Sequence, residues 1–187
     1  MKRRHRVNYN TPGNAHELTF SCYHRLKFLK TERTCQWLAD AIEKARRRYS
    51  LSVWAYVFMP DHAHLLVYPT QPVYDIAKIR RAIKFPVARK AIAHLKANAP
   101  HWLPRITRAR GEKIEHLFWQ SGGGYDRNIT SSKALTASID YLHMNPVRKG
   151  LVESAADWKW SSAAWYIKGE AAPIALDPIP PEWLDGT

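Results

Sequence analysis

Apolar positions change their period several times along the chain, and each change marks an element. His16 to Tyr23 alternates, with Leu18, Phe20 and Cys22 on one face, which predicts a strand. From Arg33 to Tyr49 the apolar residues Trp37, Leu38, Ala41, Ile42 and Ala45 fall at helical spacing. Lys44, Arg46, Arg47 and Arg48 crowd the last turns of that helix, where cations complement the dipole. Leu51 to Met59 is apolar on both faces, Val53, Ala55 and Val57 alternating with Trp54, Tyr56 and Phe58, so this strand should be covered on both sides. A tight turn at Pro60-Asp61 leads into a third strand, His62 to Tyr68. Tyr74 to about Asn98 reads as a long helix with Ile76, Ile79, Ile83, Val87 and Ile92 inward, kinked or split at Pro86. Ala99 to Glu115 shows no period and reads as a loop. Glu115 to Gln120 predicts a short fourth strand, followed by a loop at Gly122-Gly123-Gly124. Asn128, Thr130 or Ser131 can cap a helix from about Ser132 to Met144, with Leu135, Ile139 and Leu142 as its buried stripe. Pro146 stops that helix, and residues 146–187 read as an irregular wrap with one short helix near Ser161–Lys168.

The order strand, helix, strand, strand, helix, strand is the βαββαβ split unit of an α+β, ferredoxin-like fold with an antiparallel sheet. The third strand is then central and pairs with the first. The expected organisation is a basic arm over residues 1–14, a catalytic domain over 15–145 that includes the last helix, and the C-terminal wrap.

Composition adds a partner to this outline. Lys and Arg number 29 against 16 acidic residues, a net charge of +13, which favours a polyanion, nucleic acid before membrane. No apolar run approaches the roughly 20 residues of a membrane span, and no apolar core follows the basic N-terminus. A cytoplasmic protein with no membrane partner is expected. Cys22 and Cys35 are too few for a disulfide scaffold and are expected to be reduced. The helix after Tyr74 carries Lys78, Arg80, Arg81, Lys84, Arg89 and Lys90 with almost no acid to balance them after Asp75. The glycine run lacks the Lys-Ser/Thr ending of a nucleotide-binding P-loop.

The candidate chemistry begins at His62 and His64. Alternate residues of a strand share a face, so the two imidazoles project side by side, as a divalent metal requires. The bland reading is a pair of polar-face histidines on a half-buried strand. On the last helix Tyr141 and Asn145 stand four apart and share a face beside the apolar stripe; a packing role for the tyrosine is the alternative. Together with the positive charge these pieces suit phosphodiester chemistry. A divalent ion can polarise a phosphate, and a tyrosine can act as nucleophile. An amide oxygen beside two imidazoles suits Mg²⁺ or Mn²⁺ better than a structural zinc. Tyr125 is a rival nucleophile, with Arg127 near it to hold phosphate, but it follows the glycine run and lacks a rigid support. His143 turns to a different helix face from Tyr141 and is left out of the site. Asp61 can support a metal ligand or serve only the turn.

Phe58-Met59-Pro60-Asp61-His62-Ala63-His64 resembles the histidine–hydrophobic–histidine (HUH) motif of single-tyrosine transposases. Tyr141 to Val152 resembles the tyrosine-helix block of the REP-associated tyrosine transposases, and Trp158 to Ser162 resembles that branch's C-terminal block. The resemblance implies that Tyr141 attacks a DNA phosphate, holds a 5′-phosphotyrosine and releases a 3′-OH. It implies that His62 and His64 bind Mg²⁺ or Mn²⁺. Asn145 stands where related insertion-sequence transposases carry a metal-ligating glutamine; being one methylene shorter, it leaves direct and water-bridged ligation both open. Ala63 is smaller than the usual middle residue of the motif and faces away from the metal. The implied partner is single-stranded DNA with a hairpin or palindromic repeat, bound by a monomer or homodimer. Arg80, Arg81, Lys84, Arg127, Arg148 and Lys149 are the cations expected to meet it. Two other readings stay open, a ferredoxin-like nucleic-acid-binding regulator without catalysis and a metal-dependent hydrolytic nuclease.

Overall fold

The computed structural model of the chain describes residues 9–184; Lys2, Arg3, Arg4 and Arg6 of the expected arm lie outside the described residues. What is described of the arm is anchored. Asn10 Oδ1 accepts from the Ile76 amide at 3.0 Å, and the Asn128 amide donates to the Tyr9 carbonyl at 2.9 Å.

Strand β1 spans Ala15–Ser21. Helix α1, Glu32–Tyr49, starts at Thr31, whose hydroxyl accepts from the Thr34 amide, and buries Leu38, Ile42 and Ala45. Strands β2, Leu51–Met59, and β3, His62–Pro69, follow as an antiparallel pair. Helix α2, Ile76–Asn98, is capped by Asp75, whose carboxylate accepts from the Ala77 and Lys78 amides at 2.9 and 3.1 Å. It runs through Pro86 without a break. The expected split does not occur: Ile83, Val87 and Ala91 are buried on either side of the proline, and packing against α1 offsets the one hydrogen bond it removes. A single turn, α3 (Leu103–Ile106), then leads into a hairpin of β4, Thr107–Arg110, and β5, Lys113–His116. Strand β6 is Tyr125–Ile129. Helix α4, Ser132–His143, is capped by Ser131 and followed by a short α5, Asn145–Arg148, with Pro146 in its first turn, where a missing N–H is tolerated. Helix α6, Ala163–Lys168, is the short helix expected in the wrap.

The main sheet is antiparallel with order β2-β3-β1-β6, the ferredoxin-like order with β6 as its fourth strand. The sequence placed that strand at Glu115–Gln120. In the fold, Lys113–His116 pairs with β4 in a separate hairpin, and Trp119 makes only a bridge to Cys22. The reason is chemical. Both faces of Tyr125–Ile129 are largely polar, so the strand carries no alternation for a hydrophobic pattern to reveal.

One sheet face packs on α1 and α2 through Leu18, Phe20, Ala63, Leu65 and Val67, all at most 1% exposed. The other packs on α4 through Leu66, Ile129, Leu135 and Leu142. Each such side chain contributes roughly 1.5–3 kcal/mol on full burial. A bulge between Val53 and Ala55 corrects the simple alternation expected of β2. Val53, Tyr56 and Phe58 join the α1/α2 side, whereas Trp54, Ala55 and Val57 join the α4 side. The open edge of β2 is covered by the C-terminal segment. Phe58 N donates to Trp160 O at 2.8 Å, Ser162 N to Tyr56 O at 3.0 Å, and Trp158 Nε1 to Phe58 O at 2.9 Å. Cys22 and Cys35 are buried free thiols. Among the described residues no helix is long and apolar enough to cross a membrane.

Candidate active site

The α4 side of the two central strands is polar at one end. On β1 the residues between the core positions are Glu17, Thr19 and Ser21. Across from them on β3, His64 pairs with Thr19 and His62 with Ser21. The alternation that buries Ala63 and Leu65 on the far face thus turns both imidazoles to the near one. Their ring centroids are 5.0 Å apart. His62 Nδ1 is hydrogen-bonded to Asp61 Oδ1 at 2.7 Å, and His64 Nδ1 to Thr19 Oγ1 at 3.0 Å. With Nδ1 engaged in both rings, Nε2 is the nitrogen left to a ligand. Burial lowers the His62 pKa, opposed by Asp61 and assisted by the charges of Arg25 and Lys149. Burial, His62 and Arg25 push His64 down to about 4. Asp61 stays below its usual range: burial raises it, but the hydrogen bond and charge of His62 and the charge of Arg25 outweigh that.

Tyr141 comes from α4 onto the same face. Its ring meets His64 edge to face at 6.0 Å between centroids and 87°, and it is 48% exposed. The guanidinium of Arg148, at the end of α5, lies 4.6 Å from the centre of the Tyr141 ring. Asn145 is buried, its amide nitrogen donating to the Tyr141 carbonyl at 2.9 Å. That bond fastens the end of the tyrosine helix and leaves Oδ1 as the atom for any ligand role. His64 and Tyr141 share a cleft of about 500 Å³ with Glu17, Thr19, Tyr125 and Arg127.

The cations expected to meet DNA separate into two groups. Arg127 lines the cleft, Nε 3.5 Å from Glu17 and Nη2 donating to Ser138 Oγ at 2.6 Å. Arg148 stands beside Tyr141, and the charge of Lys149 acts on His62. Lys84 reaches round the sheet edge to donate to the Gly122 carbonyl at 2.9 Å, and burial together with Arg80 lowers its pKa to about 8. It lines a second cleft, of about 600 Å³, with Arg25, Ser21 and Gly122–Gly124, which adjoins the first through Thr19 and Tyr125. Arg80 and Arg81 do not join the site. Arg80 is 5% exposed and bonds Asp126 behind β6, where His16 also holds Asp126 at 2.9 Å. Arg81 lines a groove between α1 and α2 with Lys44 and Arg48. Helical spacing alone could not tell these faces apart.

Tyr125 sits differently from the expectation that it lacks a support. It has a rigid support, being paired opposite Thr19 on β6, and it lines the same cleft as Tyr141. Gly124 makes that pairing possible. Its φ is +78°, and a Cβ there would lie 2.2 Å from the Thr19 carbonyl oxygen. His143 sits away from the cleft, its Nε2 bonded to Ser162 Oγ at 2.7 Å. Sequence reasoning missed Glu17, Thr19 and Arg25. The signal for the first two was the polar alternate face of a strand predicted to be central.

Comparison with known proteins shows the family to which the chain belongs. Residues 14–145 match the family described as Transposase IS200 like. A REP-associated tyrosine transposase of Haemophilus influenzae is 31% identical over 153 residues, covering 76% of this chain and 80% of that protein. The REP-associated tyrosine transposase of Escherichia coli K12 is 27% identical over 127 residues, covering 68% of this chain and 63% of that protein. A solved structure of a REP-associated tyrosine transposase bound to a REP hairpin has the same fold, with a TM-score of 0.67, 21% identity, and coverage of 96% of this chain and 94% of that one. The motif pair and the matched length lead to one assignment: the chain belongs to the IS200-like transposase family, in its REP-associated tyrosine transposase branch, and is an enzyme of that class.

Proposed function

We propose that the chain cleaves and rejoins single-stranded DNA beside a hairpin, through a 5′-phosphotyrosine on Tyr141. The observation that carries this reading is the meeting of Tyr141 and His64 in one cleft of one chain, 6.0 Å between ring centroids. In the cleavage step the Tyr141 phenol releases its proton as its oxygen bonds to phosphorus, the bond to the 3′-oxygen breaks, and that oxygen takes up a proton and leaves as a hydroxyl. In the rejoining step a 3′-OH loses its proton and bonds to phosphorus, the bond from phosphorus to the Tyr141 oxygen breaks, and that oxygen takes up a proton to restore the phenol. Arg127 and Arg148 flank the reacting position and hold the phosphate charge.

His62 and His64 would hold Mg²⁺ or Mn²⁺ through their Nε2 atoms, with Asn145 Oδ1 as a further ligand directly or through water. The donor set fits such an ion. Both rings are biased toward the neutral form and oriented through Nδ1. Among the described residues no group of three His, Cys, Asp or Glu could hold a metal, so the remaining positions fall to amide, phosphate and water oxygens, which suits a hard ion rather than structural zinc. When bound, the ion polarises the scissile phosphate and offsets its charge. Hairpin DNA as substrate is supported by the hairpin-bound structural relative and by the net charge of +13.

The test is incubation with hairpin-bearing single-stranded DNA and Mg²⁺ or Mn²⁺. A covalent protein–DNA adduct should map to Tyr141 and vanish in Tyr141→Phe, with hairpin binding retained. Because Tyr125 lines the same cleft, Tyr125→Phe is measured beside it. An adduct that survives Tyr141→Phe and is lost in Tyr125→Phe would move the nucleophile to β6. Cleavage without adduct in Tyr141→Phe would make the protein a hydrolytic nuclease. Binding without cleavage under either metal would leave only the regulator.

A further inference from the structure

The loop after β1 leads from the candidate active site into a separate cavity. Cys22 N donates to Asp61 O at 2.8 Å and Leu29 N to Pro60 O at 2.9 Å, so this loop is tied to the turn that carries His62. Arg25, in the loop, pairs with Asp61 at 3.3 Å and lines the cleft beside the site. Phe28 lies three residues further, within about 11 Å of Arg25 along the chain, and enters a cavity of about 540 Å³. Two edge-to-face aromatic pairs line it: Phe28 with Trp102 at 5.9 Å, and Trp37 with His94 at 6.0 Å. Lys27, Lys30 and Arg33 stand exposed at its rim, and among the described residues no acidic side chain lines it.

Volume, walls and rim each narrow the occupant. The size is that of a small-molecule site. Aromatic walls take a planar ring and are indifferent to which base it is. A rim of cations without acids selects an anionic attachment on that ring. An unpaired nucleobase on a phosphodiester strand has all three properties, and Arg25, Lys27 and Lys30 mark the path to it from the cleft. We propose that this cavity holds one unpaired base of the DNA strand that leaves the active-site cleft, its adjoining phosphates lying on Lys27 and Lys30. The proposal rests on the DNA-cleaving reading above.

Fluorescence anisotropy with a hairpin carrying single-stranded flanks tests it, each flank position being made abasic in turn. Trp102→Ala should weaken binding of the intact DNA roughly 10-fold, and Trp102→Tyr should restore most of it. One abasic position should cost the wild-type protein a similar factor and cost Trp102→Ala nothing more. Unchanged affinity in Trp102→Ala, or the same loss at every abasic position in both proteins, overturns the proposal. The double variant Lys27→Ser/Lys30→Ser reads the rim without touching the core. It should lower the slope of log affinity against log salt by about 1–2, and an unchanged slope also overturns the proposal. The Tyr141 adduct is followed in the same samples. An adduct with no sensitive flank position sinks the base pocket alone; a wild-type protein that neither binds nor cleaves the hairpin DNA sinks the reading on which it rests, and the pocket with it.

Discussion

One hydroxyl sets the orientation of the more buried candidate ligand. Thr19 Oγ1 is 3.0 Å from His64 Nδ1, and Glu17 stands 3.9 Å from the same nitrogen. Without the hydroxyl, the imidazole loses the contact that fixes its tautomer and ring angle. Thr19→Val is therefore expected to weaken Mn²⁺ binding about 10–100-fold, read as a rightward shift in the Mn²⁺ dependence of adduct formation with the plateau retained. An unshifted curve would remove Thr19 from the site. The pH behaviour follows from the same burial. His64 is already neutral at pH 7 and remains so down to about pH 4, so proton competition for the ligand nitrogen sets in only in acid. These contacts were invisible in the sequence because 45 residues separate Thr19 from His64. The pairing of the two histidines was legible because strand geometry fixes it locally.

At the scale of elements, α4 is pinned at its end by a buried polar contact. His143 Nε2 meets Ser162 Oγ at 2.7 Å, and the Ser162 hydroxyl also accepts from the Tyr56 amide at 2.9 Å. This joins the tyrosine helix, the C-terminal segment and β2. Burial lowers the His143 pKa from 6.5 to about 4. Between those values the unfolded chain binds the proton that the folded one refuses, so stability rises with pH through this window. The contribution is intact above about pH 6.5 and is lost progressively toward pH 4, at a cost on the order of a few kcal/mol. Thermal melts should show Tm falling over that range, and falling less steeply in His143→Gln. His64 acts with the same sign, so some acid sensitivity persists in the variant. Strand β6 is largely polar on both faces. Tyr125 and Arg127 face the cleft, while Asp126 meets His16 and Arg80 on the other side. A strand that serves polar partners on both faces has no hydrophobic period.

For the whole molecule, the excess of positive charge is spread over more than the active face. Arg25, Lys84 and Arg127 line the two adjoining clefts and Arg148 lies against Tyr141, whereas Lys44, Arg48, Lys78 and Arg81 gather around a groove between α1 and α2. Hairpin binding should weaken steeply with salt, the log–log slope changing by roughly 0.7–0.9 for each phosphate neutralised. Arg148→Ala should reduce that slope by about 1, and Arg81→Ala should leave it unchanged. Equal effects from the two variants would mean that the DNA also lies across the groove of Lys44, Arg48 and Arg81.

What short-range geometry controls was legible from the residues alone. Strand period put His62 and His64 on one face, and the order of elements specified a ferredoxin-like sheet with β3 at its centre. Those relations hold within a few residues and follow from backbone geometry alone. Which distant residues meet emerged in the folded molecule. Register between β1 and β3 brought Glu17 and Thr19 to His64, β6 replaced the expected fourth strand and gave Tyr125 a support, and burial withdrew Arg80 from the surface. Non-local pairing is set by the whole core at once, and no local pattern of residues encodes it.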